Sequence, residues 1–125
     1  MTTKAIGDIG ERVAARHLQK GGYKIKGRNT HFSHNEIDII AEDKNYVVFV
    51  EVKTRTLTSE GLGSPSPAAA VTQAKQSRLI RAACDYLRKK PTKKQPRMDV
   101  IEIWLRRETA EVLSINHIID AYGIK

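Results

Sequence analysis

The sequence predicts a single α/β domain, and three observations support that prediction. Its patterned segments follow the order helix, three strands, helix, two strands. The first three strands are contiguous, which favours an antiparallel meander with helices packed against the sheet. The chain has 125 residues, 40% of them hydrophobic, which is enough for one core and too few for two.

The first predicted element is an amphipathic helix from Thr3 to Lys20. Apolar residues recur at helical spacing, and basic residues occupy the other side. The apolar positions are Ile6, Ile9, Val13 and Leu18. Gly21 and Gly22 follow, and glycine is typical of the position just past a helix end.

Three strands are predicted next. Residues 23–28 alternate apolar and basic side chains, and residues 29–35 (NTHFSHN) are interpreted as a loop. Residues 36–41 and 46–55 are rich in Ile and Val and flank the polar turn 42–45, the pattern of a hairpin.

The second half begins with a Ser-, Gly- and Pro-rich segment, residues 57–67, which is interpreted as a mobile loop. A long helix is predicted from Ala68 to Lys90. A strand over residues 97–105 alternates cleanly. A polar turn, a short strand over 110–115 and a C-terminal tail complete the prediction.

Charge and composition limit the classes of function. The net charge of +8 indicates a polyanionic partner, most often nucleic acid, although a basic surface that only maintains solubility is the alternative. The single cysteine allows no internal disulfide and no paired-cysteine zinc site. No continuous apolar run resembles a signal peptide or a membrane anchor, so we expect a cytoplasmic protein with no membrane partner.

The predicted hairpin carries charges where apolar residues are usual. Strand alternation places Asp38 on one face of its strand, with Glu51 and Lys53 on the same face of the next strand. Two converging carboxylates repel each other unless a cation lies between them, and hard oxygen ligands suit Mg²⁺ or Mn²⁺. The alternative is a solvated face with ion pairs worth less than about 1 kcal/mol each.

Basic residues elsewhere predict contacts with nucleic acid. Six of the ten residues from Arg88 to Arg97 are basic, although such runs are often only solvated loops. Few aromatic residues are available to stack on bases, so recognition of the backbone or of shape is expected. The candidate contact residues are Arg55, Gln73, Lys75, Arg78, Lys89, Lys90, Lys93 and Lys94.

Five blocks of the chain carry a resemblance to a known family. They are GDIGERVAARHL, GYKIKGRN, NEIDIIAEDKNYVVFVEVKTR, VTQAKQSRLIRAACDYL and RMDVIEI, in that order. The chain resembles the YraN-like family of small bacterial proteins, whose proposed activity is endonucleolytic. Its D-x(12)-E-x-K pattern is similar to that of the PD-(D/E)XK nuclease superfamily, which includes archaeal Holliday-junction resolvases.

The resemblance implies a restriction-endonuclease-like core of order α-β-β-β-α-β, with a mixed central sheet flanked by helices. It implies that Asp38 and Glu51 bind the metal, with the Val52 carbonyl as a further ligand and Lys53 as the catalytic lysine. Glu11 corresponds to the first-helix acid that the resolvases bring to their metal. The family usually has glycine before its E-I-D motif, where this chain has Asn35.

The expected function is therefore a Mg²⁺- or Mn²⁺-dependent endonuclease that hydrolyses DNA. Branched or single-stranded DNA met in repair, recombination or DNA processing is the implied substrate. A second hypothesis is a catalytically weak nucleic-acid-binding module of the same fold that recruits a partner enzyme, and a third is RNA or ribosome association driven by charge. A junction-cutting enzyme needs two active sites, which favours a homodimer, but the sequence shows no interface.

Overall fold

A computed structural model describes residues 1–32, 34–59 and 71–123 of the chain. It contains two helices and five strands, in the predicted order of helix, three strands, helix, two strands. They are α1 (Thr3–Lys20), β1 (Lys24–Phe32), β2 (Asn35–Glu42), β3 (Tyr46–Leu57), α2 (Gln73–Lys89), β4 (Gln95–Arg106) and β5 (Val112–Tyr122). Within the described residues, neither helix is long and apolar enough to cross a membrane.

The five strands form one mixed sheet in the order β1-β2-β3-β4-β5. The first three strands are the predicted antiparallel meander. β4 then joins β3 in parallel, and β5 returns antiparallel to β4. A parallel neighbour needs a crossover connection, and α2 lies in the segment between β3 and β4. The fold is therefore α/β with the expected mixed central sheet between helices.

Both faces of the sheet are buried, because α1 covers one and α2 covers the other. Residues Val47 to Val50 are each at most 1% exposed, and they alternate between the two covered faces. Strands buried on both faces are expected to have continuous apolar runs rather than alternating ones. Strand alternation predicts that Ile37 and Ile39 share one core-facing side. That prediction is wrong, because Ile37 packs in the cluster beneath α2 and Ile39 in the cluster beneath α1.

Some element boundaries differ from the prediction. Residues 29–35 are not simply a loop, because β1 continues to Phe32, which pairs with Asn35 of β2 and is only 9% exposed. α2 begins at Gln73 instead of Ala68, and the hydroxyl of its N-cap residue Thr72 accepts a hydrogen bond from the Lys75 N–H. β3 extends to Leu57. The remainder of the predicted 57–67 loop, from residue 60, and the predicted helical start at 68–70 lie outside the described residues.

The predicted short strand over 110–115 is confirmed in part, because strand β5 begins at Val112 and continues to Tyr122 through the segment interpreted as a tail. A buried carboxylate holds β5 in place. Asp99 of β4 is fully buried and accepts two hydrogen bonds of 2.9 Å from the Arg97 guanidinium. His117 Nε2 lies 2.7 Å from Asp99 Oδ2, and the Asp120 N–H donates to Oδ1. Burial favours a higher pKa for Asp99, but the contacts with His117 and Arg97 hold that pKa below its usual value. Asp99 is therefore a structural residue that joins β4 to β5.

A glycine sets how closely α1 approaches β3. A Cβ at Gly10 would collide with the side chain of Thr54, so only glycine allows this helix–strand spacing. Glu11 is the next residue of the helix and is carried toward the centre of the sheet with it. A Cβ at Gly7, one turn earlier, would meet nothing within 4 Å.

We expect Gly10→Ala to lower the free energy of unfolding by about 1–3 kcal/mol, because overpacking forces the helix away from the strand. Gly7→Ala is the matched control in the same helix, and we expect it to stabilise the protein by about 0.5–1 kcal/mol through helix propensity. Urea denaturation of both variants measures the difference. Equal effects of the two substitutions would contradict the close contact at Gly10.

Candidate functional site

The candidate site lies where β2 separates from β3. The last paired residues of the two strands are Ile39 and Val50, so Asp38 and Glu51 stand one step beyond the paired region. Asp38 Oδ2 accepts a hydrogen bond of 2.8 Å from the Val52 N–H. Beyond the last β2–β3 pair, the carboxylate thus provides the hydrogen bond that a neighbouring strand would otherwise supply.

Asp38 and Glu51 form a close carboxylate pair. Glu51 is buried, at only 6% exposed, and Asp38 is half-buried. Burial and the neighbouring Glu51 raise the pKa of Asp38 to about 7, with a smaller contribution from Glu11 and an opposing one from the Val52 N–H. At neutral pH the pair is therefore stabilised by a shared proton or by a cation.

Two lysines meet the same oxygen of Glu51. Lys53 Nζ lies 3.5 Å from Glu51 Oε1, and Lys75 Nζ lies 2.5 Å from it. Lys53 comes from β3, as the spacing predicts, while Lys75 reaches the site from the first turn of α2. Sequence analysis assigned Lys75 only to nucleic-acid contact. The structure brings its ammonium group to the carboxylate pair.

Glu11 lies on the border of this cluster. Burial raises its pKa, with Glu36 and Asp8 adding to the effect and Arg28 opposing it. Asn29 links two of these acids: with its amide oriented to satisfy its hydrogen bonds, its nitrogen lies 2.7 Å from Glu11 Oε1 and 2.9 Å from Glu36 Oε1. Asn29 has a φ of 49°, a conformation that asparagine tolerates better than most residues. Sequence analysis did not identify Asn29.

The carboxylate oxygens at this site meet some, but not all, of the requirements for binding a small divalent ion. Among residues 1–32, 34–59 and 71–123, no three His, Cys, Asp or Glu side chains form a ready metal-binding group. Asp38 and Glu51 alone do fit Mg²⁺ or Mn²⁺, because such ions often take one or two carboxylates and complete their shell with water and phosphate. The repulsion that raises the pKa of Asp38 is the repulsion that a cation between the two carboxylates would relieve.

An open cavity of about 270 Å³ borders the carboxylate pair on the α2 side. Arg78 and Lys75 of α2 line it together with His34, which directly precedes β2. Arg78 is exposed and has no ion-pair partner among the described residues, so its charge faces the cavity. An anionic group entering here meets positive charge on the helix side.

The other predicted contact residues lie farther away. Lys89 is 14 residues along α2 from Lys75, which is about 21 Å at 1.5 Å per residue. Its Nζ lies 5.7 Å from the centre of the Phe32 ring, and that of Lys90 lies 5.8 Å from the centre of the Tyr86 ring. Lys94 pairs with Glu42 at 2.6 Å.

The last three predicted contact residues are Arg55, Gln73 and Lys93. Arg55 Nε lies 3.9 Å from Glu102 and has no hydrogen bond. Gln73 and Lys93 are exposed, Gln73 at the first position of α2 and Lys93 in the connection before β4. Of the predicted contact residues, Lys75 and Arg78 therefore lie at the acidic cluster, whereas the basic run over residues 88–97 lies at the far end of α2. Nucleic-acid contact by all eight residues remains a prediction.

The chain is a small α/β protein. Its candidate site combines a carboxylate pair with two lysines, at the point where strands β2 and β3 separate. It belongs to the uncharacterised protein family UPF0102, whose model matches residues 10–103 and so includes the whole cluster. A UPF0102 protein of Caldanaerobacter subterraneus subsp. tengcongensis is 42% identical over 120 residues, 95% of each chain. Another, from Symbiobacterium thermophilum, is 44% identical over 102 residues, 81% of this chain and 83% of that one.

Two solved structures show a distant likeness. One is a fdxN element excision controlling factor protein from Anabaena variabilis, with a TM-score of 0.44 and 14% identity over 86% of this chain and 98% of that one. The other is a XisH family protein from Nostoc punctiforme, with a TM-score of 0.41 and 13% identity at the same coverage. Neither likeness is close enough to carry a conclusion about this chain.

The charge state of Asp38 makes a prediction about stability. A carboxyl whose folded pKa lies near 7, against about 3.9 when unfolded, holds its proton more tightly in the folded state, so the free energy of unfolding falls as pH rises from about 4 to about 7. Asp38→Asn keeps an oxygen for the Val52 N–H and removes this penalty. We expect the free energy of unfolding of this variant to exceed that of the wild type by roughly 1–3 kcal/mol at pH 8 in EDTA. At pH 4 we expect the two values to differ little.

Asp43→Asn is the matched control. Burial favours a higher pKa for Asp43, but hydrogen bonds from the Asn45 and Tyr46 N–H groups together hold that pKa below its usual value. Its charge therefore contributes stability above pH 4, which is lost in acid, and its removal destabilises the protein at pH 8. Urea denaturation at both pH values tests both variants. A loss of stability in Asp38→Asn at pH 8 would show that repulsion between the two carboxylates does not destabilise the folded protein.

Proposed function

We propose that this protein is a metal-dependent nuclease that hydrolyses DNA phosphodiester bonds. The observation that carries the proposal is the convergence of Asp38 and Glu51, with Lys53 Nζ 3.5 Å from Glu51, in a site open to solvent. Two carboxylates this close, one of them buried, are costly to the folded protein unless positive charge offsets their repulsion. The resemblance of the D-x(12)-E-x-K pattern to PD-(D/E)XK nucleases gives the pair a chemical use.

In this proposal Asp38, Glu51 and the carbonyl oxygen of Val52 hold Mg²⁺ or Mn²⁺. When bound, the ion lowers the pKa of a coordinated water and offsets negative charge on the phosphate. The Val52 N–H orients the Asp38 carboxylate through its 2.8 Å hydrogen bond, so this ligand is in place before substrate arrives. Glu11, in the same electrostatic neighbourhood, is an outer partner of the site.

The two lysines have different roles in this proposal. Lys53 leaves Glu51 by a small rotation of its side chain and places its ammonium on a phosphate oxygen, where it stabilises the charge of the transition state. Lys75 lies 2.5 Å from Glu51 and neutralises it, and this ion pair would loosen if Glu51 held a metal. Arg78, at the border of the cavity, positions the phosphate of the DNA backbone.

DNA is the proposed substrate because of charge and site shape. The chain has 22 Lys and Arg residues against 14 Asp and Glu, which favours a polyanion. The open cavity beside α2 admits a backbone segment, and the basic run after α2 lies about 21 Å farther along the helix, within reach of the same duplex. Branched DNA met in repair or recombination is the substrate form suggested by the resemblance.

A second candidate is a nucleic-acid-binding module of the same fold with little chemistry. The Lys75–Glu51 ion pair favours it, because a lysine that already neutralises the carboxylate reduces the need for a metal. The lack of three metal-binding side chains in one group, within the described part of the chain, points the same way. Such a module would bind DNA and recruit a partner enzyme.

Cleavage assays separate the two candidates. We expect nicked, branched, linear or single-stranded DNA to be cut with Mn²⁺ or Mg²⁺ and not with EDTA. Asp38→Ala and Lys53→Ala should each lower the rate by about 10²–10³-fold, as expected when a group that stabilises charge in the transition state is removed. Asp43→Ala and Lys44→Ala, in the turn between β2 and β3, are the matched controls and should cut normally.

DNA binding that survives in Asp38→Ala and Lys53→Ala, with no cutting by any preparation, would support the binding module instead. Cutting that persists in both variants would identify a contaminating nuclease.

Metal binding also has a readout that does not depend on activity. Mn²⁺ at 100 times its dissociation constant should raise the free energy of unfolding by about 2.7 kcal/mol, and EDTA should reverse the effect. Asp38→Asn should abolish this stabilisation, whereas Asp43→Asn should keep it. Isothermal titration calorimetry measures the affinity directly. An unchanged unfolding curve in excess Mn²⁺ would remove the metal from the proposal.

A further inference from the structure

Strand β5 forms an edge of the sheet that is unusually open to pairing. It is eleven residues long, it is the last strand in the sheet order, and no other described strand pairs with its outer side. Natural edge strands are usually protected by charged residues, prolines or short length. β5 has no proline and no Lys, Arg or Glu, and its only acid, Asp120, lies near its end.

The exposed aliphatic side chains of the protein concentrate on this strand. Apart from Met1, every large hydrophobic residue that is exposed in the described part of the chain belongs to β5. They are Val112, Ile115, Ile118 and Ile119, which are 38–57% exposed. Val112 and Ile115 line the same groove, and exposed aliphatic residues that lie together are typical of an interaction surface.

A groove runs between this strand and α1. Ile9 and Val13 of the helix face Val112 and Ile115 of the strand across a cavity of about 430 Å³. The groove lies on the α1 side of the sheet, whereas the carboxylate pair contacts Lys75 of α2 on the other side. A ligand in the groove would leave the candidate active site open.

The helix side of the groove is basic. Arg12, Arg16 and Lys20 line it at successive turns of α1, and within the described chain none of the three has an ion-pair partner. Their charges are therefore available to a ligand. An occupant with acidic side chains complements them, while the apolar floor requires aliphatic side chains as well.

We infer that β5 and its groove bind an extended, acidic peptide segment of a partner protein, which adds to the sheet as a sixth strand. Main-chain hydrogen bonds to β5 supply affinity, as in other cases of strand addition. Alternate side chains of the peptide point to the groove side, where aliphatic residues contact Val112 and Ile115. Acidic residues at the border meet Arg12 and Arg16.

A second copy of this chain is a poorer occupant. Antiparallel pairing of two β5 strands about a two-fold axis would continue the sheet and place both α1 helices on the same face. The row formed by Arg12, Arg16 and Lys20 would then face its own copy, and like charges across an interface oppose association. Nucleic acid suits the basic row but gains nothing from the aliphatic floor.

A ten-residue Glu–Val peptide tests the inference in fluorescence polarisation with the full chain; Val and Glu take turns at every second position, so that both share one face of the added strand, and Thr occupies the other face. We expect binding, and we expect the Arg12→Glu/Arg16→Glu variant to bind at least about tenfold more weakly, a change of about 1.4 kcal/mol. Arg78→Glu/Arg81→Glu, on α2, is the matched charge reversal and should bind the peptide as the wild type does. A Lys–Val peptide should not bind.

Two further measurements decide the mode of binding. Amide hydrogen exchange of β5 should slow when the Glu–Val peptide is added, and a version with N-methyl groups at alternate residues, which cannot add as a strand, should not bind. No binding of the Glu–Val peptide, or equal binding of the methylated one, would overturn the inference. So would a dimer in sedimentation that Ile115→Lys abolishes, or duplex DNA binding lost in Arg12→Glu/Arg16→Glu and kept in Arg78→Glu/Arg81→Glu.

Discussion

The hydrogen bond from the Val52 N–H to the Asp38 carboxylate is the contact on which the candidate site depends. It exists because β2 leaves β3 after the Ile39–Val50 pair, so that a side chain takes the place of a neighbouring strand. The same separation opens the space in which Glu51 meets lysines from two different elements. A strand pair that continued in register would satisfy its main chain and leave no room for this chemistry.

The burial of the sheet on both faces explains why the charges are so few and so concentrated. α1 and α2 cover the apolar runs of β2, β3 and β4, and a charge placed in those runs would need its own compensating partner. Near the start of α2, Lys75 supplies such a partner for Glu51. Inside the core, Asp99 obtains its partners from Arg97 and His117. These two buried carboxylates thus have different surroundings. Glu51 borders an open cavity, whereas Asp99 is closed off from solvent.

Local pattern was enough to predict much of this structure. The bounds of α1 follow from helical spacing ended by Gly21, and the facing of Asp38 and Glu51 follows from alternation across a tight turn. Nonlocal contacts were not predictable in this way. Lys75 reaches Glu51 because a crossover helix begins at that point, and 24 positions separate the two residues. Asn29 joins Glu11 and Glu36 only after β1 has paired with β2, and β5 continues past its predicted end at Ile115 to Tyr122 because β4 lies beside it.

The parallel ladder between β3 and β4 has a consequence for how the chain folds as it leaves the ribosome. Every residue of β3 pairs with one 49 positions later, as Tyr46 does with Gln95. The Val-rich strand therefore emerges long before its partner, and the nascent hairpin presents an unpaired apolar border in the meantime. Contacts of such sequence separation close slowly, and exposed borders of this kind invite aggregation. The central strand is covered only after β4 has been synthesised, so correct folding of β3 depends on a segment 49 positions downstream.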